Sequence, residues 1–201
     1  MKKLLAILTL VLILTVSTAC SSPPDAAEIR PAAEALIEAS YEINNIFFGE
    51  GLPAIERDSE FAIENHVYYM DEEGNYDYIA EDCPYQTTDQ IKAAAEQVYS
   101  ADYLASLYET MFVGVADEHA GMLYARYLDT DEGLKKSNIH ESMIAAKRVY
   151  DYDSMTIVKP SNSKFVNVEF DTHLEGESEI MRVRLTLVKE ESGWRLDSPT
   201  Y

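Results

Sequence analysis

Cysteine, histidine and basic residues are all scarce in this chain of 201 residues, and each shortage removes a class of explanation. The two cysteines, Cys20 and Cys83, are too few for a disulfide framework. The four histidines, His66, His119, His140 and His173, are scattered without the paired spacing that builds a zinc site. Lysine and arginine number 16 against 36 acidic residues, a formal charge of −20. A domain of that sign is repelled by nucleic acid and by anionic lipid, and it fits cationic partners or simply stays soluble. No G-x-S-x-G elbow is present, and Cys83 sits between acidic neighbours and Pro84 with no local base, so nucleophilic catalysis has no support. Gly49 and Gly51 lack a third glycine and a preceding strand, so they read as a helix stop and not as a phosphate cradle. No cofactor-binding motif remains.

Long apolar runs are also missing, apart from residues 4–16. That stretch is too short for a membrane span, which needs roughly 20 residues. It follows Lys2 and Lys3 and precedes the small residues Ser17, Thr18 and Ala19, which is the anatomy of a secretory leader. The leader ends at Cys20, and the segment resembles the lipobox of bacterial lipoproteins, with Ser17 where an aliphatic residue is usual. The resemblance implies export, lipidation of Cys20 with palmitate-type acyl chains, and cleavage just before it. Ordinary cleavage would instead leave Cys20 as a free N-terminal thiol; the polar tail Ser21-Ser22-Pro23-Pro24 reads as the tether of a lipidated cysteine. Residues 1–19 are thus expected to be the signal peptide, 20–30 the lipidated cysteine and tether, and 31–201 one domain. Removing Lys2 and Lys3 with the leader takes the charge from −20 to −22. A lipidated Cys20 cannot pair with Cys83, so the domain must fold on its hydrophobic core alone. The expected location is the extracytoplasmic face of the cell membrane of a Gram-positive bacterium.

Periodicity predicts a long helix over residues 25–48, with Leu36, Ile37, Ser40, Ile43, Asn44 and Phe47 as its buried stripe. Residues 61–70 and 76–79 read as a hairpin around 71–75. Thr87 and Gln90 form a capping-box pattern that opens a helix through Tyr99, and Ser100 caps a second helix over 101–112. Strands are expected at 122–128, 147–158, 164–173, 179–189 and 194–197, with 129–140 a polar loop. Val166, Val168 and Phe170 alternate with polar residues, as do Met181, Val183, Leu185 and Leu187. Helices followed by a meander of strands give an α+β domain, with the helices on one face of a curved, mainly antiparallel sheet.

That order resembles the NTF2-like, cystatin-like cone, and the closing phrase from Leu185 through Gly193-Trp194-Arg195 to Asp197 looks like the way such domains end. A narrower likeness is to exported inhibitors of peptidoglycan DL-endopeptidases from spore-forming, Gram-positive bacteria. It rests on Thr87-Thr88-Asp89-Gln90-Ile91-Lys92 with Val98-Tyr99-Ser100-Ala101-Asp102-Tyr103, on Leu123-Tyr124 leading to Asp131 and Gly133, and on the Trp194 hairpin. It implies a protein that plugs the cleft of a cell-wall hydrolase, with 116–121 and 129–139 as the loops that would protrude. The broader resemblance implies a cone that in enzymes such as isomerases and dehydratases holds an acidic or histidine base and tyrosine donors. Tyr124, Arg126 and Tyr150 are then the expected lining, against the plainer reading of strand tyrosines as core.

Acidic turns offer no better metal site. Asp129, Asp131, Glu132 and Gly133 place glycine fifth, where a calcium loop needs it sixth, and His140 stands where the bidentate glutamate belongs. Tyr76 occupies the glycine position of the turn with Asp71, Glu73 and Asn75. Both read as solvated turns. The expectation is a non-catalytic, lipid-anchored binding protein whose partner is a surface protein or cell-wall component.

Overall fold

The computed structural model describes residues 22–55, 76–117, 121–123 and 125–201. The leader, Cys20, the strand expected at 61–70, His66, His119 and Tyr124 lie outside the described residues.

Helix α1 spans Ala26–Phe48. Asp25 is its N-cap, with the carboxylate accepting from the Ala27 N–H at 3.0 Å. Pro31 lies inside the helix, where it has no N–H to return to the Ala27 carbonyl. The six residues of the expected stripe are all buried. Strand β1 (Tyr76–Tyr78) leads into α2 (Thr88–Ala95) and α3 (Ala101–Phe112). Thr87 caps α2 through the Gln90 N–H, but the Gln90 side chain reaches back to the Gln86 N–H at 2.6 Å, one residue earlier than a capping box. Ser100 caps α3 by accepting from Tyr103 at 3.1 Å.

Among the described residues nine strands, β1 included, form three antiparallel groups. Strands β6 (Arg148–Val158), β7 (Phe165–Leu174), β8 (Met181–Glu190) and β9 (Gly193–Leu196) form a meander in that order. The inward side chains of β7 and β8 pair across the ladder, Phe170 with Val183, Val168 with Leu185 and Val166 with Leu187. On the outer face Asp171 opposes Arg182 and Glu169 opposes Arg184, with ion pairs at 2.8 and 2.7 Å. Between Asp151 and Thr156 the β6 register slips by several residues. The extra residues lean onto α1, where Tyr152 donates to Glu38 at 2.7 Å and Asp153 meets Arg30 at 2.9 Å.

Strands β4 (Tyr127–Thr130) and β5 (Gly133–Ser137) make a hairpin, and β1 completes that sheet in the order β1-β5-β4. The stretch expected as a polar loop over 129–140 is therefore largely strand. Gly133, at φ 129°, makes the tight corner that joins β4 to β5. The strand expected over 122–128 is split. β2 (Val115–Asp117) pairs with β3 (Gly121–Leu123), while β4 begins afresh at Tyr127. The chain is thus α+β, with its helices packed against antiparallel sheets around one core. Ile37, Phe47, Ile91, Tyr99, Leu104, Tyr127, Val168, Phe170, Leu185 and Leu196 lie at its centre. Cys83 is a buried member of that core.

Candidate functional site

Helix α1 has no basic residue in its last turn, so the negative end of its dipole must be met from elsewhere. The β4–β5 hairpin meets it. The Arg126 guanidinium donates to the Ile46 carbonyl at 2.8 Å and to the Gly49 carbonyl. Tyr127 donates to Ile46 at 2.8 Å and accepts from the Leu52 N–H at 3.0 Å. The Lys136 ammonium takes the Glu50 and Leu52 carbonyls at 3.1 and 2.6 Å. Burial, and then the charge of Arg126, hold the Lys136 ammonium pKa below its ordinary value. A final donor, the Met143 N–H, closes on Phe48 at 2.6 Å. Arg126 is 2% exposed, and its bonds are those of an imported helix cap.

Tyr150 serves a different structure. Its hydroxyl donates to the Thr200 carbonyl at 2.9 Å, and its ring stands edge-on to Phe170. Burial raises its pKa well above the ordinary range. Around the Thr200 side chain gathers a closed polar network. Ser40 shares a hydrogen bond with Thr200 Oγ1 at 2.6 Å, and Asn44 donates to the same oxygen at 2.7 Å. Tyr99 donates to Asn44 Oδ1 at 2.6 Å. Ser40, Asn44, Tyr99 and Thr200 are all buried. Polar groups at that depth require partners, and here they take them from one another. Of the expected lining residues, Arg126 binds the end of α1, Tyr150 binds the C-terminal segment, and Tyr124 lies outside the described residues.

Beside this network an open cleft of about 380 Å³ separates α1 from residues 144–148. Tyr41, Asn44, Ile144, Lys147, Arg148 and Glu175 contribute to its wall. Tyr41 donates to the Arg148 carbonyl at 2.7 Å, and the Lys147 ammonium lies 3.8 Å from the centre of the Tyr41 ring. Burial and the Glu38 charge push the Tyr41 pKa up to about 12, so its hydroxyl is a proton donor at neutral pH. Arg148 is oriented by Thr172 at 3.1 Å. Glu175, the one carboxylate side chain among the lining residues, is exposed. The cleft therefore offers two cations, amide and hydroxyl groups and an apolar wall, which suits recognition.

The element projecting beside this cleft is the segment 138–147, where Ile139 is 52% and Met143 is 75% exposed. Segment 129–139, expected to protrude, is mostly the β4–β5 hairpin, and of 116–121 only the strand ends are described. Two of the acidic residues at the β4–β5 turn, Asp129 and Glu132, have structural partners. Asp129 accepts from the Thr88 N–H at 3.0 Å and from the Thr88 hydroxyl, and Glu132 accepts from Tyr78 and pairs with Lys135 at 3.5 Å. The Tyr78 hydroxyl, then Lys135, hold the Glu132 pKa below the usual carboxylate value. Sequence reasoning missed Tyr41 and Lys147 as a pair because they are over 100 residues apart. Ser40 and Asn44, polar positions inside an otherwise apolar helical stripe, were the visible sign of a buried network. No protein-family model matches the chain, and no curated protein is significantly similar to it.

Proposed function

We propose that this chain is a lipid-anchored, non-catalytic binding protein that works at the outer surface of the cell membrane. The observation that carries the reading is the state of the interior. The tyrosine and arginine that would serve a substrate pocket are bonded to main-chain carbonyls of the protein itself. What stays open is the cleft beside Lys147 and the exposed apolar segment next to it. An NTF2-like relationship is in keeping with the α+β architecture, and the leader ending at Cys20 supplies the anchor. The partner is a surface protein or cell-wall component that presents an anionic or hydrogen-bonding group to Lys147 and Arg148, with apolar surface for Met143.

Two variants test the two halves of this reading. Cys20→Ala is expected to release the protein into the medium or leave its leader uncut; unchanged maturation and membrane retention would refute the anchor. Ala146→Trp fills the cleft from a half-buried position on its wall. It should abolish co-sedimentation with purified cell-wall fractions while circular dichroism stays as in the parent chain. Binding that survives the filled cleft rules the cleft out.

A further inference from the structure

The acidity of this molecule is unevenly spread. Residues 154–168 contain no acidic side chain, and they include Lys159 and Lys164. These residues form the end of β6, the β6–β7 turn and the start of β7. Both lysines are exposed, and among the described residues neither ammonium is ion-paired. Lys189 comes to the same end of the sheet, its N–H bonded to the Lys164 carbonyl at 2.7 Å. Asp25, Glu28, Glu190 and Glu191 share this end of the molecule; Asp25 caps α1, and Glu190 accepts from the Ala101 N–H at 3.1 Å. These named groups sum to −1, with two of the three lysines gathered in the β6–β7 turn.

The position of that turn gives the charge a use. Helix α1 runs antiparallel to β6, with Arg30 at Asp153 and Tyr41 at Arg148, so its N-terminus meets the β6–β7 turn. Pro23 lies against Ile157, Val158, Lys159, Pro160 and Ser161, together lining an open surface hollow of about 550 Å³. Cys20 is three residues before Pro23, and three residues of chain reach about 10 Å at full extension. An acyl-anchored Cys20 therefore brings the turn to within roughly one Debye length of the lipid headgroups. The Lys147 cleft sits at the other end of β6, beside Tyr41 and Asn44, about 25 Å along α1 from its N-terminus.

We propose that Lys159 and Lys164 rest on anionic lipid headgroups beside the anchor and stand the domain upright, with its cleft facing away from the membrane. The proposal rests on the lipid-anchor reading above. Net charge does argue against two lysines recruiting this domain from solution. A covalent anchor changes the requirement, because the turn is already held at the surface and its lysines need only bias orientation.

The test uses the lipidated full-length protein in vesicles of phosphatidylcholine alone and of phosphatidylcholine with phosphatidylglycerol. Flotation with the phosphatidylcholine vesicles reports the anchor. Lysine acylation, read residue by residue by mass spectrometry, reports the orientation. Relative to Lys147, modification of Lys159 and Lys164 should fall about fivefold or more when phosphatidylglycerol is added, and recover in high salt. Equal rates in the two lipids, with flotation intact, would overturn the orientation alone. Failure to float would remove the anchor, and the proposal with it.

Discussion

Asn44 shows how a polar residue in an apolar stripe fixes a core. It donates to Thr200 and accepts from Tyr99, so it ties the helix to the end of the chain and to the segment before α3. Asn44→Leu keeps the volume but leaves two buried hydroxyls short of a partner, with an expected loss of about 1–3 kcal/mol. Urea denaturation measures it; an unchanged midpoint would mean that the network contributes nothing net. Gly51 presents a different constraint. Its φ of 78° favours glycine, and a Cβ there would lie 2.8 Å from the Tyr127 hydroxyl and 3.1 Å from Arg126 Nη2. Gly51→Ala is expected to cost about 2 kcal/mol or more, since it adds a backbone penalty to a clash with the cap of α1. If thermal unfolding shows no loss, the imported cap is looser than the structure has it.

At the scale of elements, what the sequence disclosed depended on the range of the forces that shape each segment. Helix α1 was legible because its apolar spacing and its stop at Gly49 are local. Strands β7 and β8 were legible because one face of each is the more buried and the alternation shows it, and β6 and β9 because turn residues bound them. The β4–β5 hairpin was not, because Thr130-Asp131-Glu132-Gly133 reads as loop. Its pairing is local, Tyr127 opposite Lys136, but β5 is also held by a partner far along the chain, Tyr76 opposite Ser137. Arg126 and Lys136 escaped for the same reason: their role is set by an α1 terminus some 80 residues away. Asp129 joins two such elements, since its carboxylate holds the first N–H of α2. Asp129→Ala removes that acceptor and also orphans the Thr88 hydroxyl, with an expected cost of about 1–2 kcal/mol. Hydrogen exchange should show the loss first in the amides of α2; uniform protection across the variant would sink that assignment.

For the whole molecule, tyrosine and net charge act together at high pH. Burial, with Glu38 second, pushes the Tyr41 pKa up to about 12; burial, with the Glu42 hydrogen bond second, does the same for Tyr85. Burial also raises Tyr99, Tyr103, Tyr108, Tyr127, Tyr150 and Tyr152. Unfolded tyrosine titrates near 10, so the folded chain keeps protons that the unfolded chain sheds above that pH. The stabilisation is complete below pH 10 and falls as pH rises from 10 toward 12. Lys136 acts in the opposite sense, because its folded pKa is lowered and deprotonation relieves its burial. One lysine is outweighed by eight tyrosines, and each tyrosinate adds charge to a molecule already at −20. Unfolding followed by far-ultraviolet circular dichroism should therefore coincide with tyrosinate absorbance in one cooperative step above pH 10. Tyrosines that ionise one by one near 10 in a chain that stays folded would show that their burial is not maintained in solution.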